Sequence, residues 1–168
     1  MYSCKSIYCK DRIANSSPCP KHKGSILVVD DEKDILITIE AFLQEEYSGF
    51  SVKTFTDASL ALKHFRQYYN CYDLIISDIM MPEITGFEFV TKIKEISPSV
   101  RALLMSASNT NNFGELSSIT TAKVHGFIQK PISHDQFITI IVNLLKEEEE
   151  KVEGDKIGDQ TNKKITYF

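Results

Sequence analysis

The chain has 168 residues, 42% of them hydrophobic and 25% charged, with a formal net charge of −4. That length suits one domain with a full core plus tails, and excludes two ordinary domains with linkers. The bulk charge gives no sign of a nucleic-acid or anionic-membrane partner, and no apolar run approaches the roughly 18 residues that a membrane span needs.

Charge by region says more. Residues 1–24 carry five Lys or Arg against one Asp, whereas residues 146–168 carry five Lys against seven acids. Both ends read as polar tails, basic at 1–24 and acidic at 147–168, around a domain at 25–146. The opening "MYSCKSIYCKDR" lacks the apolar centre of a secretory signal, so a soluble cytoplasmic protein is expected. In that setting the thiols of Cys4, Cys9, Cys19 and Cys71 are expected to stay reduced. Cys4, Cys9, Cys19 and His22 have the chemistry of zinc ligands but not the intervals of a common zinc motif.

From residue 25 apolar strands alternate with amphipathic helices. "SILVVD" is a short continuous apolar run, followed by Ile35, Leu36, Ile39, Phe42 and Leu43 at helical spacing. "FSVKTF" is a second strand. A helix follows from about Asp57, its N-cap, with Leu60, Ala61, Leu62 and Phe65 as the apolar face. "YDLIISD" is the third strand. After Pro82 and Gly86, the residues Phe87, Val90, Ile93 and Ile96 form one helical stripe, which Ser97 and Pro98 end. "VRALLMS" is the fourth strand and "GFIQK" a short fifth. The segment 109–125 between them is rich in Asn, Ser and Thr, which compete for backbone hydrogen bonds, so it predicts a marginal helix. Phe137, Ile138, Ile141, Leu144 and Leu145 mark a last helix that runs into "KEEEEK".

Five strands alternating with five helices predict an α/β, doubly wound five-stranded parallel sheet with right-handed crossovers. Ligands of such sheets bind beyond the carboxyl ends of the strands. The first strand ends in Asp30 and Asp31, the third in Asp78, the fourth in Ser106, and the fifth in Lys130 followed by Pro131. Clustered carboxylates repel one another unless they share a cation, and hard oxygen ligands suit Mg²⁺. A lysine and a serine hydroxyl add a positive charge and a donor. Together these are the parts of a phosphoryl-transfer site, with an aspartate as a feasible covalent acceptor.

The set "VVDDE", "SDIMMPEITG", "MSAS" and "QKP" resembles the receiver domain of two-component response regulators, in particular the stand-alone, chemotaxis-regulator-like receivers, over about residues 25–146. The resemblance implies a flavodoxin-like fold with strand order 2-1-3-4-5. It further implies that Asp78 is the phosphoacceptor, that Asp31, Asp78 and the Met80 backbone carbonyl bind Mg²⁺ (or Mn²⁺) with Asp30 acting on the metal mainly through water, and that Lys130 contacts a phosphoryl oxygen. Ser106 corresponds to the switch hydroxyl and Phe127 to the aromatic switch, although a core aromatic is an equally good reading of Phe127. Pro82, Gly86 and Pro131 would shape loops, with the Lys130–Pro131 bond cis. Ser106 stands where threonine is commoner, and Phe127 lacks a tyrosine hydroxyl. Met80 and Ser108 place no charged group to orient water.

The expected protein is thus a phospho-accepting signalling protein of a phosphorelay and not an enzyme acting on a separate substrate. Its expected partners are a sensor histidine kinase or phosphotransfer protein and an output protein on the 109–146 face. A homodimer formed on phosphorylation is a further expectation. Neither tail is long enough for a helix-turn-helix unit, so no direct DNA binding is expected. The alternative is a phosphorylation-independent interaction module of the same fold, whose usual sign, loss of the acceptor, an acidic-pair residue or the lysine, is absent. A doubly wound phosphatase is disfavoured because Met80 stands where its second carboxylate belongs. His64, His125 and His134 read as surface residues of helices or loops.

Overall fold

Short apolar runs bounded by turn residues make strands, and longer runs with 3.6-residue periodicity make helices. In a computed structural model of the chain, residues 24–46, 50–107, 123–146 and 166–167 are described. In order these form β1 (Gly24–Val29), α1 (Lys33–Glu46), β2 (Phe50–Phe55) and α2 (Ala58–Tyr68), with a 3₁₀ turn at Tyr69–Cys71. There follow β3 (Leu74–Asp78), α3 (Gly86–Ile96), β4 (Arg101–Ser106), β5 (Gly126–Gln129), α4 (His134–Lys146) and β6 (Thr166–Tyr167). The sheet order is β2-β1-β3-β4-β5-β6, with every pairing parallel. The expected 2-1-3-4-5 arrangement is therefore present, and β6 extends it by one strand.

β1 begins at Gly24, one residue before the expected domain start. Most of both tails, including Cys4, Cys9, Cys19 and His22, lies outside the described residues, as does most of the 109–125 segment.

Strand alternation sorts the core into two layers, since successive side chains point to opposite faces. Leu27, Val29, Ile75, Ala102, Leu104 and Phe127 face α2 and α3, whose Ala61, Phe65, Phe89, Val90 and Ile93 are buried there. Ile26, Val28, Ile76, Leu103, Met105 and Ile128 face α1 and α4, meeting Ile39, Leu43, Phe137 and Ile141. Burying each such Leu, Ile or Phe contributes about 1.5–3 kcal/mol before the entropy of ordering.

Three local expectations change. Leu60, assigned to the apolar face of α2, is 56% exposed, and Ala58 takes the inward place beside Ala61, Leu62 and Phe65. On α3 the fully buried aromatic is Phe89, while Phe87 packs at the margin of the core. His64 is half-buried, with Nε2 2.7 Å from the Tyr72 hydroxyl, and not a surface residue. Burial lowers its pKa, and Lys53 adds to the effect.

The helix starts follow local chemistry. Asp57 caps α2, its Oδ1 accepting the Leu60 N–H at 2.8 Å. α3 opens with a capping box, in which Thr85 accepts the Glu88 N–H and Glu88 accepts the Thr85 N–H at 2.9 Å. The Thr85 N–H and the Thr85 hydroxyl, both donating to its carboxylate, hold the exposed Glu88 carboxyl below its usual range. Past the end of α3 the buried Lys94 donates from Nζ to the carbonyl oxygens of Pro98 and Val100, which ties down the turn into β4.

Candidate functional site

The carboxyl ends of β1, β3, β4 and β5 bring together residues far apart in sequence. Asp78 ends β3 and is 5% exposed, and Asp30 follows β1 and is fully buried. A buried carboxylate is costly unless it meets charge or donors. The Lys130 ammonium supplies that charge to both, with Nζ 2.8 Å from Asp78 Oδ1 and 2.8 Å from Asp30 Oδ2. The backbone supplies donors to the other oxygens. The Met80 N–H reaches Asp78 Oδ2 at 2.7 Å, and the Glu32 N–H reaches Asp30 Oδ1 at 3.0 Å.

The backbone frame explains how this position is held. The Ile79 N–H donates to the Met105 carbonyl at 2.9 Å, and the Gly86 N–H donates to the Ile79 carbonyl at 2.9 Å. Gly86 is required by close approach: a Cβ there would stand 2.1 Å from the carbonyl oxygen of Asp78. At the other side, the Lys130 N–H donates to the Ser106 carbonyl at 2.7 Å, which fixes the end of β5 against the end of β4. The Lys130–Pro131 peptide is cis.

The sequence motifs contained one participant to which no role was assigned. Glu32 Oε1 lies 3.1 Å from Lys130 Nζ, so three carboxylates surround one ammonium that has three protons to donate. Its signal was the last letter of "VVDDE", two residues beyond Asp30. Burial pushes the Asp30 carboxyl up, Lys130 and the Glu32 N–H oppose this, and the Asp78 charge adds to it. Burial alone would lower the Lys130 pKa, but the Asp30, Asp78 and Glu32 carboxylates together raise it well above the usual lysine value.

The other expected residues divide into two groups. Ser106 is buried at the end of β4, and Phe127 is buried in the core with its ring centroid 6.3 Å from that of Phe87. Asp31 is exposed beside Asp30, the Met80 side chain is 77% exposed, and the exposed Pro82 accepts the Ile84 N–H at 2.7 Å in the loop before α3. Ser108 lies outside the described residues.

The donor chemistry fits Mg²⁺ although, among the described residues, no three Asp, Glu, His or Cys side chains are placed to hold a metal ion by themselves. Mg²⁺ keeps several waters and needs only one or two carboxylates from the protein. Asp30 and Asp78 provide two. Among the described residues the Lys130 ammonium at 2.8 Å is the one partner of the buried Asp30 Oδ2, and a carboxylate oxygen with a second lone pair keeps room for another cation.

The chain was compared with known proteins. The profile described as "Response regulator receiver domain" matches residues 26–142. "Response regulator SaeR" of Staphylococcus epidermidis RP62A is 32% identical over 120 residues, which is 71% of this chain and 49% of that protein. The "DNA-binding transcriptional regulator NtrC" of Bradyrhizobium sp. RP501 is 30% identical over 129 residues, 77% of this chain and 26% of that protein. The chain thus spans half or less of these relatives' length.

Among solved structures, a receiver domain protein from Clostridium thermocellum superposes with TM-score 0.64 at 25% identity, covering 77% of this chain and 99% of that one. A CheY-like receiver from Methanospirillum hungatei shares the fold with TM-score 0.67 at 23% identity, covering 76% and 98%. With the profile covering most of the chain and a parallel sheet whose strand ends gather Asp30, Asp78 and Lys130, the chain belongs to the response regulator receiver family of two-component signalling.

Proposed function

We propose that Asp78 accepts a phosphoryl group from the phosphohistidine of a sensor kinase or phosphotransfer protein. The observation that carries this reading is the Asp78 carboxylate itself, held at the end of β3 by Lys130 Nζ on one oxygen and the Met80 N–H on the other. An Asp78 oxygen attacks phosphorus, the phosphorus–nitrogen bond of the donor breaks, and the donor nitrogen leaves with the electron pair. Lys130 is already charged and beside the acceptor, so it neutralises the incoming phosphoryl oxygens by exchanging a single contact. Because its three protons face three carboxylates, one contact has to be exchanged. Glu32, 64% exposed in its side chain and at the longest distance, is the one released.

Asp30, Asp31, Asp78 and the Met80 carbonyl are the groups that would hold Mg²⁺ or Mn²⁺, which when bound supplies charge neutralisation on the phosphoryl oxygens. Ser106 would donate its hydroxyl to the phosphoryl group, and a matching shift of Phe127 would carry the change to the 109–146 face, where an output protein or a second copy of the chain binds. The protein acts on no separate substrate, catalysing only its own phosphorylation and dephosphorylation. Output is read as a protein contact. Among the described residues no helix is long and apolar enough to cross a membrane, and a cytoplasmic location is part of the proposal.

The test is intact mass after incubation with acetyl phosphate and Mg²⁺. The expected result is one added phosphoryl group in the wild type, absent in Asp78→Asn and in chelator. No adduct under any condition, in a fast-quenched time course, would favour a phosphorylation-independent binding module.

A further inference from the structure

β5 is a four-residue strand whose one side is paired with β4, from Leu103↔Gly126 to Ser106↔Gln129. The other side would be a bare sheet edge, a row of backbone N–H and C=O groups ready to pair with any extended segment. In this chain β6 lies on it, parallel, with Gly126 opposite Thr166 and Phe127 opposite Tyr167. The strand it covers is the one that carries Phe127 and delivers Lys130 to the site immediately beyond Gln129.

A two-pair strand would hold as a separate peptide only at high concentration, because so short a ladder barely offsets the entropy of ordering it. Tethering changes this. α4 starts after β5 and ends at the opposite end of the sheet, where Leu145 stands against Gly24 at the head of β1. A parallel β6 must start at that same end. Nineteen residues, 147–165, connect them, with an extended reach of roughly 60 Å. Such a tether gives an effective concentration in the millimolar range. The sequence suits the role: "ITYF" at 165–168 groups β-branched and aromatic residues after a polar run containing Gly154 and Gly158.

We propose that β6 is a built-in, removable cap on the β5 edge. This edge is then an interaction surface for an extended, parallel, β-prone segment, and its resident occupant is the chain's own 166–167 segment. A strand from another protein pairs with β5 only by displacing β6. The proposal stands whether or not Asp78 is phosphorylated, and its test uses the unphosphorylated full chain.

In the labelled wild-type protein, nuclear Overhauser contacts are expected between the backbone protons of residues 126–127 and 166–167. Their absence overturns the cap, and this result does not depend on the stability of any variant. A full-chain double variant, Thr166→Pro with Tyr167→Pro, removes both backbone donors of β6. Hydrogen exchange of the β5 amides is then expected to speed up roughly fivefold to tenfold, with β1 and β3 unchanged, as for a lost edge hydrogen bond. A synthetic peptide Lys-Lys-Ile-Thr-Tyr-Phe at millimolar concentration is expected to slow that exchange again. Unchanged β5 exchange in the variant, or no effect of the peptide on it, contradicts the proposal.

Discussion

The start of α3 and the end of β3 lie one loop apart and are stabilised in opposite ways. At the start of α3 Thr85 and Glu88, three residues apart, cap each other in a solvent-exposed box. At the end of β3 the partners of Asp78 come from Lys130 across the sheet and from the loop amide of Met80. The first arrangement is cheap, local and adds to stability. The second gathers like charges in a buried place, where one lysine holds together groups that would otherwise repel. Under the proposed function, this costly cluster is what the phosphoryl chemistry uses.

Removing the lysine should break the comparison most sharply. In chelator at pH 7, Lys130→Ala leaves Asp30 and Asp78 facing each other without a cation, and urea unfolding should show a loss of about 3 kcal/mol. That loss should shrink as the pH falls, when one of the two carboxylates takes up a proton.

Gly86 is where the two regions touch, and it comes next. Gly86→Ala drives a methyl into the carbonyl of Asp78, so the local cap survives while the Asp78 backbone is displaced. A destabilisation of about 2 kcal/mol is expected, within the usual range for overpacking, together with slower phosphorylation by acetyl phosphate. Wild-type rate and stability in this variant would show that the loop yields freely.

Asp30→Asn sharpens the contrast from the other side. Burial holds the folded-state pKa of Asp30 above its ordinary 3.8, so folding favours the protonated form. The stabilisation from that protonated form is fully present below 3.8 and is lost as pH rises through the folded value. At neutral pH the ionised wild type therefore carries a penalty that the neutral amide lacks. The variant should be more stable than the wild type at pH 7, and this advantage should disappear under acid conditions. Equal stability at pH 7 would mean that Lys130 fully compensates the buried charge.

The smallest effect is expected at the local device. Thr85→Ala removes the cap and should cost about 1 kcal/mol, with the phosphorylation rate unchanged. A large change in that rate would show that the start of α3 is mechanically coupled to Asp78.

Much of this was legible in the sequence, because strands and helices announce themselves through spacings of two and of three to four residues. β1 to β5, the Asp57 cap and the last helix all appear where alternation or helical periodicity placed them. The motif residues Asp30, Asp78 and Lys130 do converge. Periodicity was less able to orient a helix. Leu60 satisfies helical spacing as well as Ala58 does, and which of them turns inward depends on how α2 settles on the sheet. Phe89 and Phe87 pose the same problem on α3.

By itself, then, the sequence determined the order and kind of the elements and the chemistry delivered at each strand end, since both depend on neighbours a few positions apart. The tertiary structure alone decided that Glu32 joins the acids on Lys130 while Asp31 stays exposed, that Gly86 must lack a Cβ beside Asp78, and that residues 166–167 lie along β5. These depend on strand order, register and ångström-scale distances between residues 8 to 98 positions apart in the case of Gly86 and Asp78 and of Glu32 and Lys130. No local pattern encodes such separations, because the contact exists only once the sheet has brought the two segments together.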